Sequence, residues 1–149
     1  MDRTQKTEIV NMCMVTDGNL VLVQDKINGE WGGLTFPGGH VEEGESFTDA
    51  IIREVKEETG LSISHPSLCG IKDWYENECR YVVLLYKTTE FDGELISSEE
   101  GKVWWEDINN LPNLKLSNDM EDMLRVFCEE RLSEFFYYKE NNKWLYELK

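Results

Sequence analysis

Glu54, Glu57 and Glu58 crowd into one short stretch, "REVKEETG" at residues 53–60, beside Arg53. Residues three and four apart are neighbours on a helix surface, so Glu54 would face both other acids. Each like-charge pair at that spacing costs about 0.2–0.5 kcal/mol. Either the acids form a solvated face, as most acidic clusters do, or something positive offsets the repulsion. Arg53 sits beside Glu54 and reaches Glu57 at i+4, so it can buttress one carboxylate without neutralising the set. Gly38 and Gly39 lie upstream, where a bare backbone carbonyl can approach an ion, and Glu45 precedes the helix. Carboxylates in this number suit Mg²⁺ or Mn²⁺, hard cations held by a few carboxylates plus substrate phosphate.

The elements that position these residues can be read from spacing. "EIVNMCMV" (8–15) and "LVLVQ" (20–24) read as strands joined by Asp17-Gly18-Asn19, a hairpin. Pro37 and the two glycines after it predict a sharp turn. Ser46 is the expected N-cap of a helix, with Asp49 as a weak capping-box partner and Gly60 as its left-handed end. Phe47, Ile51 and Val55 would form its buried stripe, with Ala50 beside them. "LCGIKDWYE" and "RYVVLLYKTTEF" suggest a second antiparallel pair. In the short strand "KVWWED", Trp104 and Trp105 must point to opposite faces. Met120, Met123/Leu124 and Phe127 recur at helical spacing, capped by Ser117 or Asn118. "EFFYYKENNKWLYEL" reads as a terminal hairpin, covering either its own sheet or that of a second copy in a homodimer. One α+β domain over 1–149 follows, a mixed sheet flanked by two helices.

Composition narrows the function classes. A chain of 149 residues, 40% of them hydrophobic, can bury a substantial core. No run approaches the roughly 18–20 apolar residues of a membrane span, and the N-terminus lacks a signal-peptide core, so a cytoplasmic protein is expected. A net charge of −15 would repel a polyphosphate backbone, which argues against long nucleic acid but leaves a small anionic substrate bridged by metal. Cys13, Cys69, Cys79 and Cys128 show no CxxC pair and, with His40 and His65 the only histidines, build no zinc site; reduced thiols are expected.

"GHVEEGESFTDAIIREVKEETGL", Gly39 to Leu61, resembles the Nudix box, G-x5-E-x7-R-E-U-x-E-E-x-G-U, with U a bulky aliphatic residue. Gly39, Glu45, Arg53, Glu54, Glu57, Glu58 and Gly60 match every fixed position; Val55 and Leu61 match both aliphatic ones. The resemblance implies a Nudix-type α/β/α sandwich with a mixed central sheet and the box as loop-helix-loop. It also implies Mg²⁺-dependent (or Mn²⁺-dependent) hydrolysis of a phosphoanhydride in a small nucleotide. Gly39 would offer its carbonyl, Glu54, Glu57 and Glu58 would be ligands or base, and Glu45 would be salt-bridged to Arg53 to hold the loop on the helix. In "SSEEGKVWW", Glu100 is the preferred further ligand or base, over Glu99.

Within the family the chain is most similar to the MutT-like group, which hydrolyses nucleoside triphosphates and clears 8-oxo-dGTP from the pool. That likeness implies a base pocket lined by Thr35 and Phe36 beside Gly38, with Asn118 or Asp119 reading the base edge. A basic residue near the nucleotide falls on Lys26, where the chain departs from its relatives with Gln24-Asp25-Lys26. Trp31 and Trp74-Tyr75 are candidates to stack on a base. The alternatives are another nucleoside-diphosphate-linked substrate, such as ADP-ribose or a dinucleoside polyphosphate, and a non-catalytic binding module. The complete acid set argues against the latter.

Overall fold

The computed structural model describes residues 1–26 and 32–149. Strands β1 (Thr7–Asp17), β2 (Leu20–Asp25) and β3 (Leu34–Thr35) come first, then helix α1 (Phe47–Thr59). β4 (Ser62–Ser64), β5 (Ser67–Glu76), β6 (Cys79–Thr88), β7 (Glu90–Asp92) and β8 (Lys102–Asp107) follow. A 3-10 turn (Ile108–Asn113), helix α2 (Met120–Cys128) and the strands β9 (Glu134–Glu140) and β10 (Lys143–Leu148) complete the chain. The main sheet runs β10-β9-β5-β6-β1-β2-β3, with β8 on β2; β4 and β7 pair separately. β1 and β6 are parallel, as are β5 and β9, while the other pairs are antiparallel. The sheet is therefore mixed, and the α+β architecture read from the sequence is the one observed.

Alternation along the strands makes two cores. Cys13, Val15, Leu22, Leu84 and Tyr86 face α1, where Ile51 and Val55 meet them. Met14, Val21, Val23, Val83, Leu85 and Phe135 face α2, where Met120, Met123, Val126 and Phe127 meet them. Trp104 packs with the second core and Trp105 with the first, on opposite faces as β8's pleat demands.

The hairpin of β1 and β2 exists but pairs only next to its turn, Thr16 with Val21 and Asp17 with Leu20. β1 instead pairs with β6 from Thr7 to Val15, and β2 pairs with β8 along its whole length. The two strands thus diverge, and the segment after β3 occupies the opened edge of β1. Cys13 N–H donates to Pro37 O (2.9 Å), Asn11 N–H to Gly39 O (2.8 Å), and Val41 N–H to Ile9 O (3.1 Å). Gly38 is obligatory here, because a Cβ would lie 2.0 Å from the Asn11 carbonyl oxygen.

Two local readings are corrected. Phe47 is not in the buried stripe; at the first position of α1 it stays exposed, and Ala50, Ile51, Val55, Glu58 and Thr59 are buried instead. The N-cap of α2 is neither Ser117 nor Asn118 but Asp119, in the left-handed region at φ 65° with no side-chain capping bond. Ser117 is drawn away by its N–H, which donates to Leu34 O at 2.9 Å. By contrast α1 begins as read: Ser46 Oγ accepts from Asp49 N–H at 3.0 Å, and Gly60 ends it at φ 81°.

Candidate active site

Arg53 is the hub of the acidic helix. Its Nε donates to Glu45 Oε2 (2.7 Å) and its Nη2 to Glu45 Oε1 (3.0 Å) and the His40 carbonyl (3.0 Å). This two-pronged grip pins the loop before α1 to the helix. It also holds the Glu45 carboxyl down to about 2, mainly through the Arg53 hydrogen bonds, with the Glu42 N–H assisting. The remaining nitrogen, Nη1, reaches Glu54 Oε1 (2.9 Å) and Glu57 Oε2 (3.3 Å). One cation is therefore hydrogen-bonded to three acids, with Glu42 a fourth at 4.0 Å.

Glu54 lies against the glycine turn. A Cβ on Gly39 would stand 2.5 Å from the Glu54 carboxylate, so a larger residue there would push that carboxylate out of its present place. Glu58 is the unusual member. It is 4% exposed, accepts from Gly38 N–H at 3.2 Å, and has Lys26 Nζ 3.8 Å away. Its pKa is pushed up to about 7, first by burial and further by Glu54 and Glu100, against the pull of Lys26 and the Gly38 N–H. Glu57 is more than half exposed. Glu100 is exposed, its N–H donating to Ser98 Oγ at 3.2 Å. The next residue, Gly101, packs its α-carbon on the Asp25 carbonyl and so sets this loop beside Lys26.

Gly39, Glu45, Arg53, Glu54, Glu57, Glu58, Glu100, Gly38 and Lys26 thus meet where β1 and β2 part. Thr35 and Phe36 lie on the α2 side: Thr35 Oγ1 donates weakly to Met120 Sδ at 4.0 Å. The Phe36 ring is 2% exposed and packs edge-on against Phe127, inside the core. Asn118 is exposed, whereas Asp119 turns to Lys72, whose Nζ donates to its Oδ2 at 3.3 Å. Trp74 stacks on Tyr81 and Tyr75 is exposed; Trp31 lies outside the described residues.

The donor set suits a small divalent cation, being entirely carboxylate and carbonyl oxygen. Among the described residues no three acidic, histidine or cysteine side chains are already gathered about one point. Arg53 and Lys26 draw the carboxylates instead. Gly39 O has one lone pair engaged by Asn11 N–H and, among the described residues, no second donor on the other. Polar atoms without partners also collect nearby. Asn11 Oδ1 accepts from Gly39 N–H at 2.9 Å, yet its Nδ2 is buried and unpaired among the described residues. Gln24, fully buried, has neither amide atom paired there. By strand alternation it shares the face of Leu22 and Lys26. Such groups are costly unless a solvent molecule, ion or substrate satisfies them. Sequence reading missed Asn11, Gln24 and Lys72; only their polarity at inward strand positions signalled them.

A family model described as the NUDIX domain matches residues 6–127. An uncharacterized Nudix hydrolase of Bacillus subtilis, YvcI, is 35% identical over 120 residues, 76% of this chain and 74% of its own length. The ADP-ribose pyrophosphatase of Methanocaldococcus jannaschii is 34% identical over 114 residues, 74% of this chain and 66% of that protein. The crystal structure of a MutT protein from Bacillus halodurans superposes with a TM-score of 0.80 at 28% identity, covering 95% of this chain and 97% of that one.

Proposed function

The chain belongs to the Nudix hydrolase family, and from that premise we propose that it is a Mg²⁺-dependent nucleoside triphosphate pyrophosphohydrolase acting on purine nucleotides, oxidised guanine triphosphates among them. Glu58 carries this reading. Its carboxylate is 4% exposed, raised to about 7 and held only by the Gly38 N–H and, at 3.8 Å, Lys26, whereas Glu54 and Glu57 share Arg53. Lys26, at 3.8 Å, offsets its burial only in part, and a divalent ion would supply further positive charge.

Glu54, Glu57 and Glu58, with the second lone pair of Gly39 O and Glu100 from the opposite loop, would hold that ion. When bound, it neutralises phosphate charge and makes a water acidic enough to attack phosphorus. Arg53 keeps the loop, and with it Gly39, at a fixed height above Glu54. Gly38 N–H and Lys26 orient Glu58 from the other side. A box glutamate, or Glu100, receives the water's proton.

A triphosphate substrate is supported by 33% identity over 86 residues, 56% of this chain, to the oxidized purine nucleoside triphosphate hydrolase of Danio rerio. A second reading, hydrolysis of ADP-ribose, is supported by the 34% identical archaeal pyrophosphatase. Initial rates over dGTP, 8-oxo-dGTP, ADP-ribose and dinucleoside polyphosphates, with and without Mg²⁺, separate them. Release of pyrophosphate and a monophosphate from a triphosphate supports the first reading. Turnover of ADP-ribose alone replaces it with the second, and tight binding without turnover rejects hydrolysis altogether.

A further inference from the structure

The two ends of the main sheet are finished differently. At one end β3 is two residues long, and the segment before α2 closes its outer side. Leu34 N–H donates to Lys115 O and Leu34 O accepts from Ser117 N–H, each at 2.9 Å. At the other end β10 keeps one register with β9 over six consecutive pairs and contains no proline. Glu134 and Lys149 exchange both N–H···O bonds, at 3.0 and 2.9 Å. By antiparallel alternation Lys143, Leu145 and Glu147 then turn their backbone polar groups to β9, and Trp144, Tyr146 and Leu148 turn theirs outward. Among the described residues no backbone group meets that outward row. An edge of this kind is a template for another strand.

About Leu145 that edge is complementary to itself. Two copies of "KWLYE" (143–147), antiparallel with a two-fold axis at Leu145, set Trp144 opposite the partner's Tyr146 and Tyr146 opposite the partner's Trp144. These are the residues with outward N–H and C=O groups, so both pairs can exchange hydrogen bonds. Leu145 then meets its own counterpart, and Lys143 meets the partner's Glu147 on either side of the axis. All three contacts fall in non-hydrogen-bonded pairs, where side chains stand closest. An axis at Trp144 or Tyr146 would set a charge against Leu145, and one at Lys143 or Glu147 would oppose like charges. Lys143, Leu145 and Glu147 are all exposed, and Glu147 holds only a half-exposed ion pair with Lys149 at 3.0 Å. On the same face Tyr138 lies opposite Leu145 and stacks on Phe136, so an apolar row runs up to the axis. Lys143 balances Glu147, which leaves β10 neutral in a chain of net charge −15.

We propose that β10 is a docking edge for a second copy of this chain, the two copies joining through residues 143–147 about a two-fold axis at Leu145. The terminal hairpin extends its own sheet through β9 and offers the edge of that sheet to the partner, so that two sheets become one. Trp144, stacked on Tyr137, and Tyr146, stacked on Phe135, hold the edge in shape from the opposite face. A contact of five residues a side is small beside a standard interface, so the dimer should have a Kd of about 1–100 μM. The inference is independent of the hydrolase reading, because the acidic helix and the glycine turn take no part in it.

The test is sedimentation velocity across about 1–300 μM chain, a range that brackets that Kd. It compares the native protein, Lys143→Glu, Glu147→Lys, the chain carrying both exchanges, and an equimolar mixture of the two single variants. The native protein should pass from monomer to dimer over this range. Each single variant opposes like charges on both sides of the axis and should raise the Kd about tenfold or more. The double exchange restores opposite charges and should return the Kd to within about threefold of the native value. The mixture should dimerise as well as the native protein, because the acidic edge of one variant then faces the basic edge of the other. Recovery on mixing repairs neither hairpin, so it separates pairing between copies from damage within one. A native protein that stays monomeric, single variants that dimerise as tightly as it does, or a mixture no better than its components overturns the proposal. Growth beyond the dimer overturns the two-fold arrangement as well.

Discussion

The two helices begin in opposite ways. α1 starts on Ser46, whose hydroxyl satisfies the Asp49 N–H, and its acids are held by Arg53 to the loop in front. α2 starts on Asp119, held left-handed, with its carboxylate turned away from the helix to Lys72. A capping position occupied by a good capping residue that does not cap has been freed for another partner. The first helix is built to hold charge still, and the second to present a polar pair over a sheet face. On this division, damage to α1 should appear in kcat and damage at the start of α2 in KM.

The largest effect expected is on the α1 side. Glu57→Gln or Glu54→Gln should lower kcat at saturating Mg²⁺ by about a thousandfold, the equivalent of roughly 4 kcal/mol in the barrier, with far-ultraviolet circular dichroism unchanged. Asp119→Asn should mainly raise KM for guanine nucleotides. Matching kcat losses in the two helices would erase the division.

Next in size is Arg53→Ala. It strips the grip on Glu45 and the His40 carbonyl and leaves Glu54 unbalanced, so activity and stability should fall together, stability by about 2–3 kcal/mol in urea. A variant that loses turnover yet keeps its urea midpoint would confine Arg53 to chemistry.

Glu58 should show itself in pH dependence. Its carboxyl is raised from an ordinary 4.5 to about 7 by burial, so the folded chain holds a proton that the unfolded chain has released. Stability without metal should therefore decline as pH rises from about 4.5 to 7 and level off above, the native state binding more protons in that window. Glu58→Gln should remove this part of the decline, and saturating Mg²⁺ should shrink it in the native protein. A native profile matching that of Glu58→Gln in EDTA would show the carboxylate to be unstrained.

The same contrast explains what could be read in advance. The ends of α1 and the spacing of its charges were legible, because caps, a terminal glycine and i+4 spacing act within a few residues; Ser46, Gly60, Arg53 and the acids stand where spacing put them. Phe47 fails because periodicity marks a face of the helix and not how far along the helix that face is covered. α2's start was misread because Ser117 N–H is drawn to Leu34 O, a partner far away in sequence. The divergence of β1 from β2 was hidden for the same reason: strand preference identifies strands, whereas partners are chosen by long-range register. Lys72 went unmarked because its three aromatic neighbours come from β5 and β9, brought together only by the parallel pairing of Lys72 with Phe135.

The smallest effect separates the helix starts on stability alone. Ser46→Ala deletes an acceptor that α1 uses and should cost about 1 kcal/mol. Asp119→Gly deletes no capping bond and relieves a non-glycine residue at φ 65°, which offsets the loss of the Lys72 ion pair. It should cost less than Ser46→Ala by urea denaturation, although Asp119 has the more buried neighbourhood. If the order is reversed, the Lys72–Asp119 pair is a stabilising bridge between sheet and helix.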